Sequence, residues 1–290
     1  MDGILLVNKR IGWTSRDVVN KIMRIFRTKK VGHTGTLDPF ASGLLIITIN
    51  KGTKISSYLE GLDKSYIAEV CLGKSTDTLD LTGNVIEEKE VNLPIDKAAL
   101  NNALLSFIGD IKQVPPMYSA IKIDGEELYK KARRGEVVER KERDVHISSI
   151  DILSIVDNTF TMKVDCSKGT YIRSLCVDVC EKLGYPGLMN SLVRTKTGVW
   201  NLEESSTIED IELGNFKAYS MLEAVKNLPL IEDEDCVYKA FHGMKISPSK
   251  IYDILCENPQ RIAIKEDDKL VAIYDFDKEI KGYRAVRVWN

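Results

Sequence analysis

VGHTGTLDPFASGLLIITI, residues 31–49, runs from a polar loop punctuated by glycine straight into an apolar segment. Gly32, Gly35, Gly43 and Pro39 fix unusual backbone angles, and Leu44 to Ile49 reads as a buried strand. A single acid, Asp38, stands at the centre of the loop. A stiff loop that holds one carboxylate and feeds a buried strand is a candidate reaction centre. Asp before Pro is also ordinary turn chemistry, so the company this loop keeps decides its reading.

Upstream, Ile4 to Asn8 reads as a short strand, and Thr14-Ser15 followed by Asp17 reads as an N-cap. The helix it opens runs to about Phe26, with Val18, Val19, Ile22, Ile25 and Phe26 as its apolar stripe and its Lys and Arg facing outward. Downstream, Gly52 to Glu60 predicts a short helix, and Tyr66 to Leu72 a strand with Val85 to Glu90 as its hairpin partner. Asp96 to Phe107 predicts a helix ended by Gly109. Met117 to Ile123 reads as extended, with a turn at Asp124-Gly125 and a helix from Glu126 to Arg134. Val145 to Ile155 and Thr159 to Cys166 form a second hairpin about Asp157-Asn158. If Tyr171-Ile172-Arg173 is extended, Tyr171 and Arg173 point to the same side. A helix then runs to Leu183, and Leu188 to Thr197 is a strand. Residues 200–235 shift to acidic short helices and loop. The short runs Arg261 to Lys265, Leu270 to Tyr274 and Tyr283 to Trp289 suggest a small separate β domain.

The 290 residues suit about two domains. No apolar run approaches the ~20 residues that span a bilayer, and MDGILLVNKR carries an acid early, so the cytoplasm is the expected location. Six cysteines without a C-x-x-C pair and only three histidines point away from a zinc site, and no cofactor is expected. The formal net charge of −2 hides an uneven distribution. Residues 1–54 carry ten Lys/Arg against three Asp/Glu, and residues 200–235 carry two against ten. Nucleic-acid binding depends on where charge sits, so a basic face survives a neutral total. Leu128 to Arg143 holds seven Lys/Arg and three Glu, which reads as a projecting basic lobe. Gly73-Lys74-Ser75-Thr76 directly after a strand suggests a phosphate-binding P-loop and hence a nucleotide hydrolase. The glycine this needs five residues earlier is Ala68, so the cradle is missing.

The Asp38 loop, GHTGTLDPFASGLL, resembles the catalytic motif of the TruB-type tRNA pseudouridine-55 synthases. Further blocks follow in that family's order: GILLVNKRIGWTS, KSYIAEVCLGKSTDTLD, VPPMYSAIKIDGEELYKKARRG and CSKGTYIRSL. They span roughly the first two hundred residues. The resemblance implies an α/β (α+β) pseudouridine synthase fold, with a central mixed, largely antiparallel sheet flanked by helices. It implies a catalytic domain at 1–231, with a basic RNA-gripping insertion at about 117–143, and a small PUA-like RNA-binding β domain at 232–290.

By the same resemblance the protein is an isomerase that converts the uridine at position 55 in the T-arm of tRNA to pseudouridine. Asp38 is then the essential carboxylate, Tyr66 stacks on the target base, Tyr171 lines the pocket and Arg173 is the counter-charge. His33 stacks within the opened RNA loop, Lys54 makes charge contacts or supports the loop, and Asp80 orients neighbours. Lys130, Lys131, Arg133 and Arg134 meet the RNA backbone. No metal, membrane or obligate protein partner is implied, and a monomer is expected. The alternatives are an RNA-binding or tRNA-folding factor that does not depend on catalysis, and a synthase acting on a different RNA.

Overall fold

The structure, a computed structural model, describes residues 1–119, 121–123, 125–136 and 138–289. The expected turn at Asp124-Gly125 therefore lies partly outside the described residues.

The chain begins with β1 (Gly3–Lys9) and α1 (Ser15–Ile25). The first turn of α1 is closed reciprocally: the Asp17 N–H donates to the Thr14 hydroxyl at 3.0 Å, and the Thr14 N–H donates to the Asp17 carboxylate at 2.9 Å. Such a box contributes about 1 kcal/mol. β2 (Val31–Thr34) and β3 (Ser42–Ile49) flank the Asp38 loop, and a 3-10 turn at Asn50–Ile55 leads into α2 (Ser56–Glu60). Next come β4 (Lys64–Leu72), β5 (Lys74–Thr76), β6 (Val85–Glu88), α3 (Lys97–Leu105) and β7 (Gly109–Gln113). The region expected to be one extended run and one longer helix is instead β8 (Lys122–Ile123), β9 (Glu126–Glu127) and α4 (Leu128–Arg133). The long hairpin β10 (Arg143–Val156) and β11 (Thr159–Cys166) turns at Asp157-Asn158 as expected. After α5 (Ile172–Lys182) come β12 (Gly187–Thr197), β13 (Trp200–Asn201), α6 (Ile208–Glu212) and β14 (Ala218–Tyr219). The chain ends with β15 (Leu230–Ile231), α7 (Glu234–Phe241), α8 (Pro248–Leu255), β16 (Arg261–Glu266), β17 (Lys269–Asp277) and β18 (Gly282–Val288).

Ten strands form the main sheet in the order β14-β1-β3-β12-β4-β11-β10-β7, with β2 also on β3 and β13 also on β12. All its pairs are antiparallel except β3 with β12, which meet through Val193–Ser42 and Arg194–Gly43. Two local expectations fail. Val85–Glu88 pairs with β5, not β4, because β11 and β12 already occupy both edges of β4. Tyr171-Ile172-Arg173 is not extended: Tyr171 is the N-cap of α5, and Arg173 lies in its first turn. The P-loop reading fails on geometry as well as spacing, since Gly73 leads into strand β5 rather than a helix.

Both faces of the central strands are buried. Leu5, Val7, Leu45 and Ile47 pack with Val18, Val19 and Ile22 of α1 and with Leu175 and Val179 of α5. Ile4, Leu6, Leu44 and Ile46 face the other way, onto Trp200, Tyr219, Ala263, Leu270, Ile273 and Trp289. Covering on both sides explains why β1 and β3 read as continuous apolar runs rather than alternating ones. The C-terminal sheet, ordered β15-β16-β17-β18, therefore lends one set of residues to this shared core. Its other set, including Ile231, Ile262, Tyr274 and Tyr283, closes a core of its own with α7 and α8.

Candidate active site

The Asp38 loop is anchored from below by two buried cations and one serine. Lys9, fully buried at the end of β1, donates through Nζ to the carbonyls of Ala41 at 2.6 Å, Trp13 at 2.7 Å and Arg10 at 3.1 Å. Arg194 of β12, 1% exposed, donates through Nε to the Leu44 carbonyl at 2.7 Å and through Nη2 to the Gly35 carbonyl at 3.0 Å. The Ser15 hydroxyl accepts from the Leu37 N–H at 2.9 Å and donates to the Leu37 carbonyl at 3.2 Å. Buried charge is costly unless every donor is used, and here backbone carbonyls take most of the donors. Gly43 makes the crossing possible: with φ +103° it runs so close to β12 that a Cβ would lie 2.4 Å from the Arg194 carbonyl oxygen.

Above this floor opens a cavity of about 670 Å³, lined by Asp38, Lys64, Tyr66, Asp80, Tyr171 and Arg173 among others. Arg173 spans it. Its Nη2 lies 3.1 Å from Oδ2 of Asp38 and 2.6 Å from the Tyr118 carbonyl; its Nη1 lies 3.4 Å from Oδ2 of Asp80 and 3.1 Å from the Thr78 carbonyl. Asp80 is locked in turn by the Thr78 hydroxyl at 2.8 Å, the Thr82 hydroxyl at 2.6 Å and the Thr82 N–H at 3.0 Å. The Asp38 side chain keeps 36% of its surface exposed, against 7% for Arg173 and 3% for Asp80.

Burial raises the Asp38 pKa above the usual carboxylate value, while Arg173 pulls it back. Burial likewise pushes Lys9 and Lys64 down to about 8, and Arg194 adds to the depression of both. The Tyr66 phenol is raised by burial and drawn down by the Arg194 guanidinium beside it. Tyr66 belongs both to the core beneath the sheet and to the cavity wall.

The expected site residues divide into two groups. Asp38, Tyr66, Asp80, Tyr171, Arg173 and Arg133 line the one cavity. His33 lies outside the lining, half-buried in β2 with Nδ1 unpartnered, and burial with the charges of Arg194 and Arg16 lowers its pKa. Lys54 is also outside and reaches the Val288 carbonyl at 3.5 Å, on the C-terminal sheet. In α4, Lys130 pairs with Glu127 at 2.8 Å, and Arg134, the residue that caps its end, pairs with Glu126 and Glu136, each at 2.7 Å. Lys131 also has a partner.

Sequence reasoning missed Lys9, Lys64 and Arg194 as parts of this construction. The available signal was a cation at the end or middle of an apolar strand, where β propensity and burial both disfavour it. Among the described residues no three His, Cys, Asp or Glu side chains converge as a metal site would require.

The family model for the TruB family pseudouridylate synthase N-terminal domain matches residues 23–172. The tRNA pseudouridine synthase B of Halalkalibacterium halodurans is 41% identical over 295 residues, covering 98% of this chain and 95% of its own. That of Limosilactobacillus reuteri is 38% identical over 303 residues, covering 100% and 99%. A chain in the crystal structure of a Cbf5-Nop10-Gar1 complex superposes with a TM-score of 0.73 at 25% identity, covering 99% of this chain and 84% of that one.

Proposed function

Because the chain belongs to the TruB family of pseudouridylate synthases, we propose that it isomerises the uridine at position 55 in the T-arm of tRNA to pseudouridine, using Asp38 as the essential carboxylate. The observation that carries this reading is the partly exposed Asp38 carboxylate on the wall of the cavity, with Arg173 as a fixed counter-charge.

The reaction breaks the bond from sugar C1′ to base N1, rotates the base and joins C1′ to C5. The proton lost from C5 is balanced by one gained at N1, so no outside reagent is consumed. What the protein must supply is an ionised carboxylate next to the nucleotide, a pocket that retains the detached base, and exclusion of water. Asp38 is that carboxylate, and Arg173 favours its ionised form. Tyr66 offers its ring to the base and its phenol to the C5 proton. Tyr171 closes the pocket beside it. Flipping the uridine out of the arm costs about a few kcal/mol, which contacts to the extruded base and the backbone repay.

In this reading residues 1–231 form the catalytic domain, and the insertion at about 117–143 meets RNA through Arg133, Arg134, Lys130 and Lys131. His33 and Lys54 serve the opened RNA and the loop. Residues 232–290 form a PUA-like RNA-binding domain. The protein acts in the cytoplasm as a monomer, without an obligate protein partner.

The test uses an unmodified tRNA transcript tritiated at uridine C5. Wild type is expected to release tritium, and Asp38→Asn to bind the transcript without releasing it. Binding without release by wild type, where a control synthase succeeds, would leave an RNA-binding factor or a different RNA target.

A further inference from the structure

Most of the basic excess of residues 1–54 takes no part in the cavity. Of the cations on and around α1, two are engaged by acids of α6: Arg10 with Glu209 at 3.1 Å, and Lys21 with Glu212. Five others, Arg16, Arg24, Arg27, Lys29 and Lys30, are exposed, and among the described residues their side chains form no ion pair or hydrogen bond. Five like charges left uncompensated on eleven residues of helix and the turn after it repel one another, a cost that an external anion removes.

Helix geometry arranges the two on α1, and Arg27, Lys29 and Lys30 follow beyond its end, with Arg27 at φ +51°. At about 100° and 1.5 Å per residue, Arg24 stands about 12 Å along the axis from Arg16 and points about 80° from it, while Lys21 points about 140° away from Arg16. That direction is the α6 side, where Lys21 finds its acid. The near end of this basic patch is joined to the reaction centre, because Ser15 clasps Leu37 in the Asp38 loop and the Arg16 charge acts on His33. At α4 and its C-cap, by contrast, Lys130 and Arg134 are already engaged by neighbouring glutamates.

We infer that the outward face of α1 and the turn leading to β2 form a phosphate-binding track that carries the RNA backbone away from the cavity mouth. The inference rests on the RNA-modifying reading above and names a surface of the chain for that substrate. The ~12 Å of α1 axis between Arg16 and Arg24 passes about three to four successive phosphates of one strand of a duplex, which have one charge per ~3.4 Å of axis in B-form geometry, and Arg27, Lys29 and Lys30 continue the patch beyond the helix.

The experiment measures binding of an unmodified tRNA transcript by wild type and by the triple variant R27Q/K29Q/K30Q between 50 and 300 mM salt, and turnover of the same transcript. Each lost phosphate contact lowers the slope of log K against log salt by about 0.7–0.9, so a slope shallower by about 2–3 is expected. KM should rise, and kcat at saturating tRNA should stay unchanged. The replaced side chains form no ion pair or hydrogen bond among the described residues and only repel one another, so the melting temperature should not fall. The reversal K29E/K30E, which keeps Arg27, should weaken binding further per residue changed. Wild-type binding and turnover with an unchanged slope in both variants overturns the track alone. Failure of wild type to bind tRNA overturns the track and the proposed function together.

Discussion

Arg173 and Asp38 meet with Nη2 3.1 Å from Oδ2, but their exposures differ fivefold, 7% against 36%. The guanidinium is fixed from behind by Asp80 and by the carbonyls of Thr78 and Tyr118. The carboxylate keeps a free side toward the cavity. One partner is thus a rigid support, and the other is available to a ligand.

Replacing Arg173 should therefore damage stability and chemistry separately. Arg173→Met leaves Asp80 buried and unpaired, which costs about 3–5 kcal/mol. In Arg173→Met/Asp80→Asn that charge is gone, so thermal unfolding should show much of the loss recovered. Tritium release should stay far below wild type in both. A double variant no more stable than the single would contradict the support role of Asp80.

The acid side of the pH profile follows from Asp38. Its pKa is raised by burial and held back by Arg173, so turnover should fail on acidification at a pH above the usual carboxylate value. The sign for a variant is fixed: losing a neighbouring cation raises the pKa further, so in Arg173→Gln the acid limb of kcat/KM should move to higher pH. A limb that stays or moves down would remove Asp38 as the titrating group.

The alkaline side should belong to Lys9 rather than Lys64, although burial brings both to about 8. Lys9 supplies three carbonyls, so loss of one proton orphans one of them and loosens the Asp38 loop. Lys64 supplies only the Glu60 and Leu62 carbonyls, which a neutral amine still satisfies. Activity should decline above about pH 8 in wild type and in Lys64→Met alike. Lys9→Gln should be weak at all pH values and lack this limb.

Gly43→Ala tests the crossing of β3 and β12. A Cβ there would lie 2.4 Å from the Arg194 carbonyl oxygen and 2.7 Å from its nitrogen, at φ +103°. Strain and overpacking together should cost about 2–5 kcal/mol, lowering Tm by on the order of 10 °C. Gly169→Ala, with nothing within 4 Å of its Cβ position, meets no such crossing and pays only its φ of +84°.

Much of this arrangement was legible in the chain. The capped start of α1, the apolar runs of β1 and β3 and the hairpin at Asp157-Asn158 depend on neighbours in sequence, so local pattern suffices for them. The resemblance carried by short blocks led to Asp38, Tyr66, Asp80, Tyr171 and Arg173, because each stands inside a contiguous motif whose backbone chemistry is local.

What only the tertiary structure decided is where distant pieces meet. Local pattern reads Val85–Glu88 as a partner for β4, but sheet order gives both edges of β4 to β11 and β12. Lys54 sits near the motif in sequence yet turns toward Val288, 234 positions away. Lys9 and Arg194 read as misplaced surface cations until the fold brings carbonyls 32 and 150 positions away to their nitrogens. Burial of a cation becomes tolerable only once the whole chain has closed around it and supplied acceptors, and no stretch of sequence contains that condition.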